Sequence, residues 1–368
     1  MKTILSTVGF AILAVAVQAQ FNAAAFPPVN EVPPITSPEV QGWLKGLNFA
    51  DVPALKPNTG NPPTCPALAA IPANACWWTC QGCPADDIET CPTPGDWGLT
   101  FDDGPTENTP TLLTTLKQHN MKATFFVMGS NVVRHAEVLK QEVADGHHLA
   151  SHTWSHHPLT TLSNEQIVAE IKWTEKAVFD ITGLRMKYMR PPYGDIDNRV
   201  RAVLKKLGYI VIDWTSDAYD SKDFNLNATP NDANALNAAV NKLKTTLMAY
   251  GAAPGAKGII TLEHDLYPVT IKYAELLLPV AVQAKLKVKT IAEGLNDASP
   301  YQNGAGPQPS GGAKPSGSTG GGKQPSGTGA QTGPTVINGN SAASALSMTN
   351  GAMMAAALAV SGAVLAAL

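Results

Sequence analysis

The sequence has no strong excess of charge of either sign. Its 368 residues carry 26 Lys and Arg against 29 Asp and Glu, a formal net charge of −3. A protein that binds nucleic acid or an anionic membrane surface through its overall charge needs a basic excess. We therefore expect no nucleic-acid partner. The net charge does not indicate which other molecule the protein binds.

Conspicuous long apolar runs are confined to the two ends of the chain. At the N-terminus, Met1-Lys2-Thr3 precedes an apolar stretch from Ile4 to Val17, and Val17-Gln18-Ala19 forms a small-x-small site. This order predicts a secretory signal peptide over residues 1–19. A buried core helix is the alternative, which the prolines that soon follow disfavour.

The other apolar run, from Ala352 to Leu368, has no basic residue after it. A polar spacer precedes it, and the small residues Asn-Gly-Asn-Ser-Ala occupy positions 338–342. This arrangement predicts a glycosylphosphatidylinositol (GPI) attachment signal over residues 341–368, with attachment at Asn340. We expect a secreted protein at the cell membrane and cell wall, held to the membrane by the lipid anchor only. A tail-anchored transmembrane helix is the alternative, which the weakly hydrophobic, Ala-rich tail disfavours.

Aromatic residues are absent after Tyr301, and the chain between Gln302 and Thr335 consists mostly of Gly, Ser, Pro, Gln and Thr. Such a segment buries too little apolar area to offset the entropy of ordering it. We predict a flexible stalk over residues 298–340.

Cysteine is absent outside one short segment, where five residues lie at positions 65, 76, 80, 83 and 91. Disulfides are the default in a secreted chain, and one Cys must remain unpaired. The alternative is a zinc knot built from Cys76, Cys80 and Cys83. The surrounding Pro-rich residues 20–95, called the collar below, show no sustained helical or strand period. Trp77 and Trp78 of the collar either contact a sugar polymer or cover the core.

The middle of the chain alternates short β-like runs with amphipathic stretches. We predict strands over Gly98–Asp102, Ala123–Met128, His148–His152, Tyr188–Arg190, Tyr209–Asp213, Gly258–Glu263 and Lys287–Ile291. We predict helices over Thr109–His119, Asn131–Ala144, Asn164–Thr182, Ile196–Leu207, Asp232–Tyr250 and Val269–Ala284. This alternation implies parallel strands, and seven of them favour a closed or nearly closed β/α barrel over residues 96–297. An open doubly wound sheet is the alternative, but no Gly-x-Gly-x-x-Gly follows a strand to support dinucleotide binding.

Polar residues are concentrated where the predicted strands end, which is where such barrels carry their chemistry. The first strand ends in Asp102-Asp103-Gly104-Pro105. Neighbouring side chains of an extended backbone point to opposite sides, so one Asp can bind a cation while the other handles a proton. The alternative is a solvated turn.

The third strand ends in a histidine cluster, which holds five of the eight His. His152 and His156 are spaced i, i+4, so one helical turn would present both imidazoles to a single cation. Two His and one carboxylate with open positions form the ligand set of a catalytic Zn²⁺ or a non-haem iron site. For His147, His148 and His157 we expect exposed positions in a loop.

Later strand ends supply Arg190-Pro191-Pro192-Tyr193-Gly194, the segment Asp213 to Asp220, and Leu262-Glu263-His264-Asp265. In this order, and with the two motifs above, the chain from about Trp97 to Leu295 resembles the metal-dependent polysaccharide deacetylases of carbohydrate esterase family 4, the NodB homology domain. It is most similar to the fungal chitin deacetylases. The resemblance implies a distorted (β/α)7-type deacetylase barrel, with an extended N-terminal segment stapled by disulfides.

The resemblance also implies roles for individual residues. Asp103, His152 and His156 would bind one divalent metal ion, Zn²⁺ or alternatively Co²⁺. Asp102 would be the general base that activates a water molecule, and Arg190 would orient it.

Four further roles follow from the same resemblance. The backbone N–H of Tyr193 would hold the oxyanion, and Leu262 would line the pocket for the acetyl methyl group. His264 would protonate the departing amine, with its pKa raised by Asp217. The product pair would be chitosan and acetate from N-acetylglucosamine units of cell-wall chitin.

The sequence departs from the family in its fourth motif, which commonly ends Asp-x-x-Asp-Trp. Here Asp217-Ala218-Tyr219-Asp220 is followed by Ser221, so the aromatic wall is expected to be missing or moved to Tyr219 or Trp214. Two alternatives therefore stand beside chitin deacetylation: an O-acetyl xylan or other glycan deacetylase, and an inactive wall-binding module. We expect a monomer, with N-glycosylation at Asn227 in Asn-Ala-Thr.

Overall fold

The computed structural model describes residues 21–215, 223–252 and 257–304. Within them the strands are β1 (Asp96–Gly98), β2 (Thr100–Asp102), β3 (Thr124–Val127), β4 (His148–Ser151), β5 (Tyr188–Met189), β6 (Ile210–Val211), β7 (Ile259–Ile260), β8 (Glu263–His264) and β9 (Lys287–Lys289). The helices are α1 (Pro38–Leu44), α2 (Trp78–Gln81), α3 (Thr109–Gln118), α4 (Gly129–Arg134), α5 (Ala136–Ala144), α6 (Asn164–Thr182), α7 (Asn198–Lys206), α8 (Ala233–Ala252), α9 (Pro268–Leu277), α10 (Val280–Gln283) and α11 (Ile291–Gly294).

The strands form two parallel sheets that continue into one another, ordered β7-β1-β9 and β6-β5-β4-β3-β2-β8. β1 and β2 are successive parts of one strand that is interrupted at Leu99, and β7 and β8 are related in the same way. The ring closes where Thr215 donates its backbone N–H to the Ile260 carbonyl at 3.0 Å and its hydroxyl accepts from the Ile260 N–H at 3.0 Å. The predicted barrel of alternating β and α elements is therefore confirmed.

Two predicted helices are each divided in two. The stretch predicted as Asn131–Ala144 is interrupted at His135, whose φ of −125° and ψ of 42° are not helical. The stretch predicted as Val269–Ala284 ends its first helix at Leu277, just before Pro279. Pro cannot donate the N–H that would continue the helix. The long central helix α6 has its predicted bounds, because Ser163 and Gln166 form a capping box and Gly183 takes the left-handed conformation after its last turn.

The apolar core lies in two layers. Inside the barrel, Phe126, Ala150, Tyr188, Ile212 and Ile260 pack together with Cys91. Outside it, a larger cluster fills the space between the strands and the surrounding helices. Because successive side chains of a strand point to opposite faces, this arrangement also aims the polar residues at the strand ends into the mouth of the barrel.

The collar is fixed by disulfides Cys65–Cys80 and Cys76–Cys83, and Cys91 is the unpaired, buried cysteine. The alternative zinc knot is therefore excluded. Trp77 is 2% exposed, so it covers the core rather than offering a face to a polymer.

Contacts with the barrel continue after residue 297, where the barrel domain is predicted to end. Tyr301 is buried and pairs with Met186, and its hydroxyl accepts the backbone N–H of Leu149 at 3.1 Å. The predicted signal peptide, the remainder of the stalk, the GPI signal and Asn340 lie outside the described residues. Among the helices that the structure describes, none has the length and apolar character needed to cross a membrane.

Candidate active and metal site

The adjacent carboxylates at the end of β2 have different environments. Asp102 is the last residue of the strand, whereas Asp103 turns into the left-handed region with φ of 76°. The turn is held by Asn131, whose side-chain amide donates to the Asp103 carbonyl at 2.7 Å. Met128 donates its backbone N–H to the Gly104 carbonyl at 2.9 Å. These contacts bring the Asp103 carboxylate to the mouth of the barrel beside, but not parallel to, that of Asp102.

His152 and His156 follow β4 in a loop, so the predicted helical turn between them is wrong. Thr153 and His156 have φ of 67° and 60°, which a right-handed helix does not allow. The loop still brings the imidazoles together, with ring centroids 5.0 Å apart. Buried Glu170 anchors the loop, because it accepts the backbone N–H groups of Trp154 and Ser155 at 2.8 and 2.9 Å.

Asp103, His152 and His156 converge on one point. The Asp103 Oδ1 atom lies 3.4 Å from His152 Nε2 and 3.2 Å from His156 Nε2. One ligand atom from each residue lies within 4.8 Å of the others. His152 Nδ1 lies 2.8 Å from the Arg190 carbonyl, an acceptor, so Nδ1 carries the proton and the Nε2 lone pair faces the site.

The chemical state of these three groups suits a divalent cation. Burial lowers the pKa of His152 to about 3 and also lowers that of His156. Burial alone would raise the pKa of Asp103, but the neighbouring histidines hold it below its ordinary value. Neutral imidazoles and an ionised carboxylate are the forms that ligate metals. Asp103 Oδ1 is buried and has no hydrogen-bond partner among the described residues, which is the position that a cation would satisfy.

Arg190 holds Asp102 from inside the barrel. It is fully buried, and its Nη1 donates to Asp102 Oδ1 at 2.8 Å and to the Thr100 hydroxyl at 2.7 Å. Its guanidinium lies 4.2 Å from the centroid of the Phe126 ring. Burial raises the pKa of Asp102 to about 6, against the opposing effect of Arg190. A carboxylate with a pKa just below neutral is well suited to act as a general base.

On the opposite side of the site, His264 is paired with an aspartate that the sequence analysis did not select. Asp223 Oδ1 lies 2.7 Å from His264 Nδ1, and Asp223 Oδ2 accepts the His264 backbone N–H at 2.9 Å. Burial would lower the pKa of His264, but Asp223, together with Asp103 and Asp102, outweighs it and raises the pKa to about 10. Asp223 thus occupies the position beside His264 that was predicted for Asp217. Asp217 itself lies outside the described residues.

The fourth motif lies three residues later than the sequence analysis places it. Asp220-Ser221-Lys222-Asp223 has the same Asp-x-x-Asp spacing as Asp217 to Asp220, and Phe224 follows it. The Phe224 ring packs edge-on against His264, with centroids 5.5 Å apart, and is 36% exposed. An aromatic ring therefore lies beside His264 after the second spacing, and it is Phe where the family commonly has Trp. Of the two residues predicted as alternatives, Trp214 is only 3% exposed and Tyr219 lies outside the described residues.

Tyr193 and Leu262 complete the predicted set. The Tyr193 ring packs against His156 with centroids 4.7 Å apart and is 39% exposed. Leu262 is buried between β7 and β8, two residues before His264.

Two predicted surface histidines are buried instead. His147 and His148 are 1% and 4% exposed, and burial lowers the pKa of each to about 4. His148 begins β4 and bonds the Thr124 hydroxyl at 3.0 Å, so it is part of the barrel wall and not of a loop. Asn227 is exposed, in a 3₁₀ turn over Asp223–Ala228, and its glycosylation stays a prediction.

Comparison with known proteins agrees with this geometry. The family model for polysaccharide deacetylases matches residues 89–212. A chitin deacetylase of Amylomyces rouxii is 34% identical over 298 residues, which cover 76% of this chain and 68% of the relative. The chain belongs to the polysaccharide deacetylase family.

Other members of the polysaccharide deacetylase family show the extent of the likeness. Chitin deacetylase 1 of Cryptococcus neoformans var. grubii is 40% identical over 257 residues, 68% of this chain and 54% of the relative. The solved structure of the chitin deacetylase from the fungal pathogen Colletotrichum lindemuthianum is 33% identical, with a TM-score of 0.54. That match covers 59% of this chain and 95% of the solved chain. This chain thus spans 54% of the Cryptococcus relative and 68% of the Amylomyces relative.

Proposed function

We propose that this protein is a chitin deacetylase, which hydrolyses the N-acetyl groups of N-acetylglucosamine units in chitin to give chitosan and acetate. The observation that carries the proposal is the pairing of two proton-transfer groups with opposite roles around one metal site. Asp102 has its pKa raised only to about 6, and His264 has its pKa raised to about 10. Near neutral pH the first is mostly a base and the second is an acid, which is the division of roles that amide hydrolysis requires.

Asp103, His152 and His156 would hold one divalent cation, and we propose Zn²⁺, with Co²⁺ as the alternative. Three protein ligands and an open position are the arrangement of catalytic rather than structural zinc. When bound, the cation would supply Lewis-acid polarisation of a carbonyl oxygen and would acidify a water molecule.

In the forward reaction, Asp102 accepts a proton from the attacking water. Arg190 keeps the Asp102 carboxylate oriented through the 2.8 Å bond and favours its ionised form. The carbonyl carbon becomes tetrahedral, and the backbone N–H of Tyr193 donates a hydrogen bond to the oxygen that acquires negative charge.

Collapse of the tetrahedral species requires a proton on the departing nitrogen. His264 donates it from Nε2, since Nδ1 is held by Asp223 at 2.7 Å. The C–N bond then breaks, leaving a free amine on the sugar and acetate as the second product. Leu262 would bound the methyl pocket, where a larger acyl group clashes and a smaller one loses contact.

The substrate assignment draws support from the named relatives, which are chitin deacetylases. The exposed rings of Tyr193 and Phe224 border the site on its His156 and His264 sides. Such faces suit the apolar surfaces of sugar rings. The presence of Phe224 also removes the observation that favoured an inactive wall-binding module.

Measurement of acetate release decides between the substrates. The purified protein, supplied with Zn²⁺, is incubated separately with N-acetylglucosamine oligomers and with O-acetylated xylan at matched acetyl concentrations. We expect acetate mainly from the N-acetylated oligomers. Acetate release from xylan alone would contradict the assignment of chitin as the substrate. Acetate release from neither polymer would contradict the proposal that the protein is an enzyme.

We further propose that the protein is secreted and remains at the cell surface through a GPI anchor attached near Asn340. Two disulfides in the collar support passage through an oxidising compartment. Phosphatidylinositol-specific phospholipase C should release the protein from intact cells. Retention after this treatment, with release by detergent alone, would instead indicate a protein segment in the membrane.

A further inference from the structure

The collar contacts the part of the barrel rim that carries Tyr193. This part, residues 191–196, is called the Tyr193 loop. The inference that follows rests on the proposed function, because it concerns how the oxyanion donor of that reaction is held in place.

The Tyr193 loop has two backbone hydrogen bonds of its own, from Gly194 to the Pro191 carbonyl at 3.0 Å and from Asp195 to the Pro192 carbonyl at 2.9 Å, but its backbone is strained. Tyr193 has φ of 62° and ψ of 10°, and Gly194 that follows has φ of 62° as well. A residue with a Cβ in the left-handed region is about 1 kcal/mol less favourable than in the right-handed one. Such conformations persist only where the surrounding structure fixes them. The direction of the Tyr193 N–H therefore also depends on what packs around the loop.

The collar supplies three hydrogen bonds to this loop within three consecutive residues. Trp77 donates its indole N–H to Asp195 Oδ1 at 2.7 Å, and Trp78 donates its backbone N–H to the Ile196 carbonyl at 2.9 Å. The Thr79 hydroxyl donates to the Gly194 carbonyl at 2.9 Å. The donors lie 115 to 118 residues from their acceptors along the chain.

The collar also limits the loop sterically. A Cβ added to Gly194 would lie 2.5 Å from the ring of Trp78. The Trp78 ring packs in turn against Trp214, with centroids 4.7 Å apart, and Trp214 lies 5.7 Å from the Arg190 guanidinium. The backbone of the Tyr193 loop is thus confined by Trp78, which packs through Trp214 toward Arg190, the residue that orients Asp102.

Asp195 joins the collar to the loop of the second metal-binding histidine. Its side chain is fully buried, and while Oδ1 accepts from Trp77, Oδ2 accepts the backbone N–H and the hydroxyl of Thr160 at 2.9 and 2.7 Å. Thr160 follows His156 by four residues. One carboxylate therefore fixes the Tyr193 loop against two segments that are distant in sequence.

We propose that Trp77, Thr79 and Asp195 are positioning residues for the deacetylation, which hold the Tyr193 backbone N–H where the oxyanion forms. The collar is then a functional part of the active site and not only a cover for the core. None of the three needs to touch substrate. Their loss should lower the rate of the chemical step while leaving the metal and the ground-state substrate bound as before.

The primary test is Trp77→Phe, which keeps an aromatic ring and removes the indole N–H that reaches Asp195. The control is Trp173→Phe, a similarly buried Trp on α6 whose indole N–H has no partner among the described residues. Three quantities are measured in the zinc-loaded protein and both variants: kcat and KM for acetate release from an N-acetylglucosamine oligomer, the zinc content, and hydrogen exchange of backbone amides in residues 192–198.

For Trp77→Phe we expect kcat to fall by roughly 10- to 100-fold, since a shift of about 1 Å in a positioning element costs up to about 100-fold. KM and zinc content should stay close to wild type, and exchange in residues 192–198 should become faster. Trp173→Phe should change none of these quantities by more than about threefold. Equal kcat and equal exchange in the two variants would overturn the inference, as would faster exchange without a loss of kcat.

A milder variant covers the case in which Trp77→Phe fails to fold. Thr79→Val removes only the hydroxyl that donates to Gly194, and the same change in exchange and kcat is expected at smaller size. If the wild-type protein releases no acetate from any oligomer, the proposed function fails. The exchange data then decide by themselves whether the collar holds the Tyr193 loop.

Discussion

Replacing Asp223 by Asn should move the alkaline limit of activity by several pH units. Asp223 lies 2.7 Å from His264 Nδ1, and it is the main reason that the pKa of His264 is raised from 6.5 to about 10. That increase corresponds to about 5 kcal/mol in favour of the imidazolium. The Asp223→Asn side chain would keep the size and one acceptor but not the charge, whereas burial, which lowers the pKa, remains.

The size of the effect on rate follows from the protonated fraction of His264. If its pKa in Asp223→Asn falls to about 6.5 or below, at most about 3% of the imidazole is protonated at pH 8. The expected loss of kcat is therefore at least about 30-fold at pH 8, but only a few-fold at pH 6. A bound cation would lower the His264 pKa in both proteins, so the difference between them is the quantity to measure.

The assay is kcat for acetate release between pH 5 and pH 10, with Asp51→Asn as the matched control. The exposed Asp51 carboxylate pairs with Lys206, with Oδ1 2.6 Å from Nζ, and neither residue belongs to the proposed active site. Its replacement should leave the pH profile unchanged. A profile of Asp223→Asn that is parallel to wild type at all pH values would refute the assignment of His264 as the acid tuned by Asp223.

Three further predictions concern the turn after β2, a disulfide of the collar and a buried histidine of the barrel wall. In Gly104→Ala the new Cβ would overlap the Asp265 carboxylate and displace the turn that carries Asp103. We therefore expect the zinc affinity, measured by competition with a chelator, to fall at least about tenfold. An unchanged affinity would show that this turn does not position Asp103. Cys76→Ser combined with Cys83→Ser should lower the free energy of unfolding by about 2 kcal/mol, because the crosslink spans only seven residues; no change in urea denaturation would count against it. His148 has a folded pKa of about 4, below its unfolded value, so its contribution is complete above pH 6.5 and is lost as pH falls toward 4. The stability gap between wild type and His148→Gln should therefore narrow by up to about 3 kcal/mol between pH 7 and pH 4, whereas a gap independent of pH would disprove the neutral buried state.

The sequence alone was sufficient to predict that the polar residues at the strand ends lie close together. Asp102, Asp103, His152 and His156 could be placed together because the carboxyl ends of parallel strands meet at one face of a barrel. The strand order alone determines this proximity, whatever the local geometry of each loop. The conformation between the two histidines was not predictable in the same way, since their i, i+4 spacing fits a helical turn and a left-handed loop equally well.

Other features depend on contacts between distant segments. Asp217 and Asp223 both occur in an Asp-x-x-Asp spacing, and only the folded chain shows that Asp223 reaches His264. The sequence signal that could have favoured Asp223 is Phe224, the aromatic residue that directly follows Asp220-Ser221-Lys222-Asp223. The buried state of His148 depends on Tyr188 and Tyr301, whose rings pack at 5.5 Å from its own. Similarly, no local pattern connects Trp77 with Asp195, 118 residues later in the chain.

The central claim is that Asp102 acts as the base beside a metal held by Asp103, His152 and His156. Its most direct test measures zinc content and acetate release together, on N-acetylglucosamine oligomers, for the wild-type protein, Asp102→Asn and Asp103→Asn. We predict that wild type binds one zinc ion and releases acetate, that Asp102→Asn keeps the zinc and loses at least about 100-fold in kcat, and that Asp103→Asn loses both. Full acetate release by Asp102→Asn, or release by a wild-type protein that retains no metal after chelation, would contradict the account.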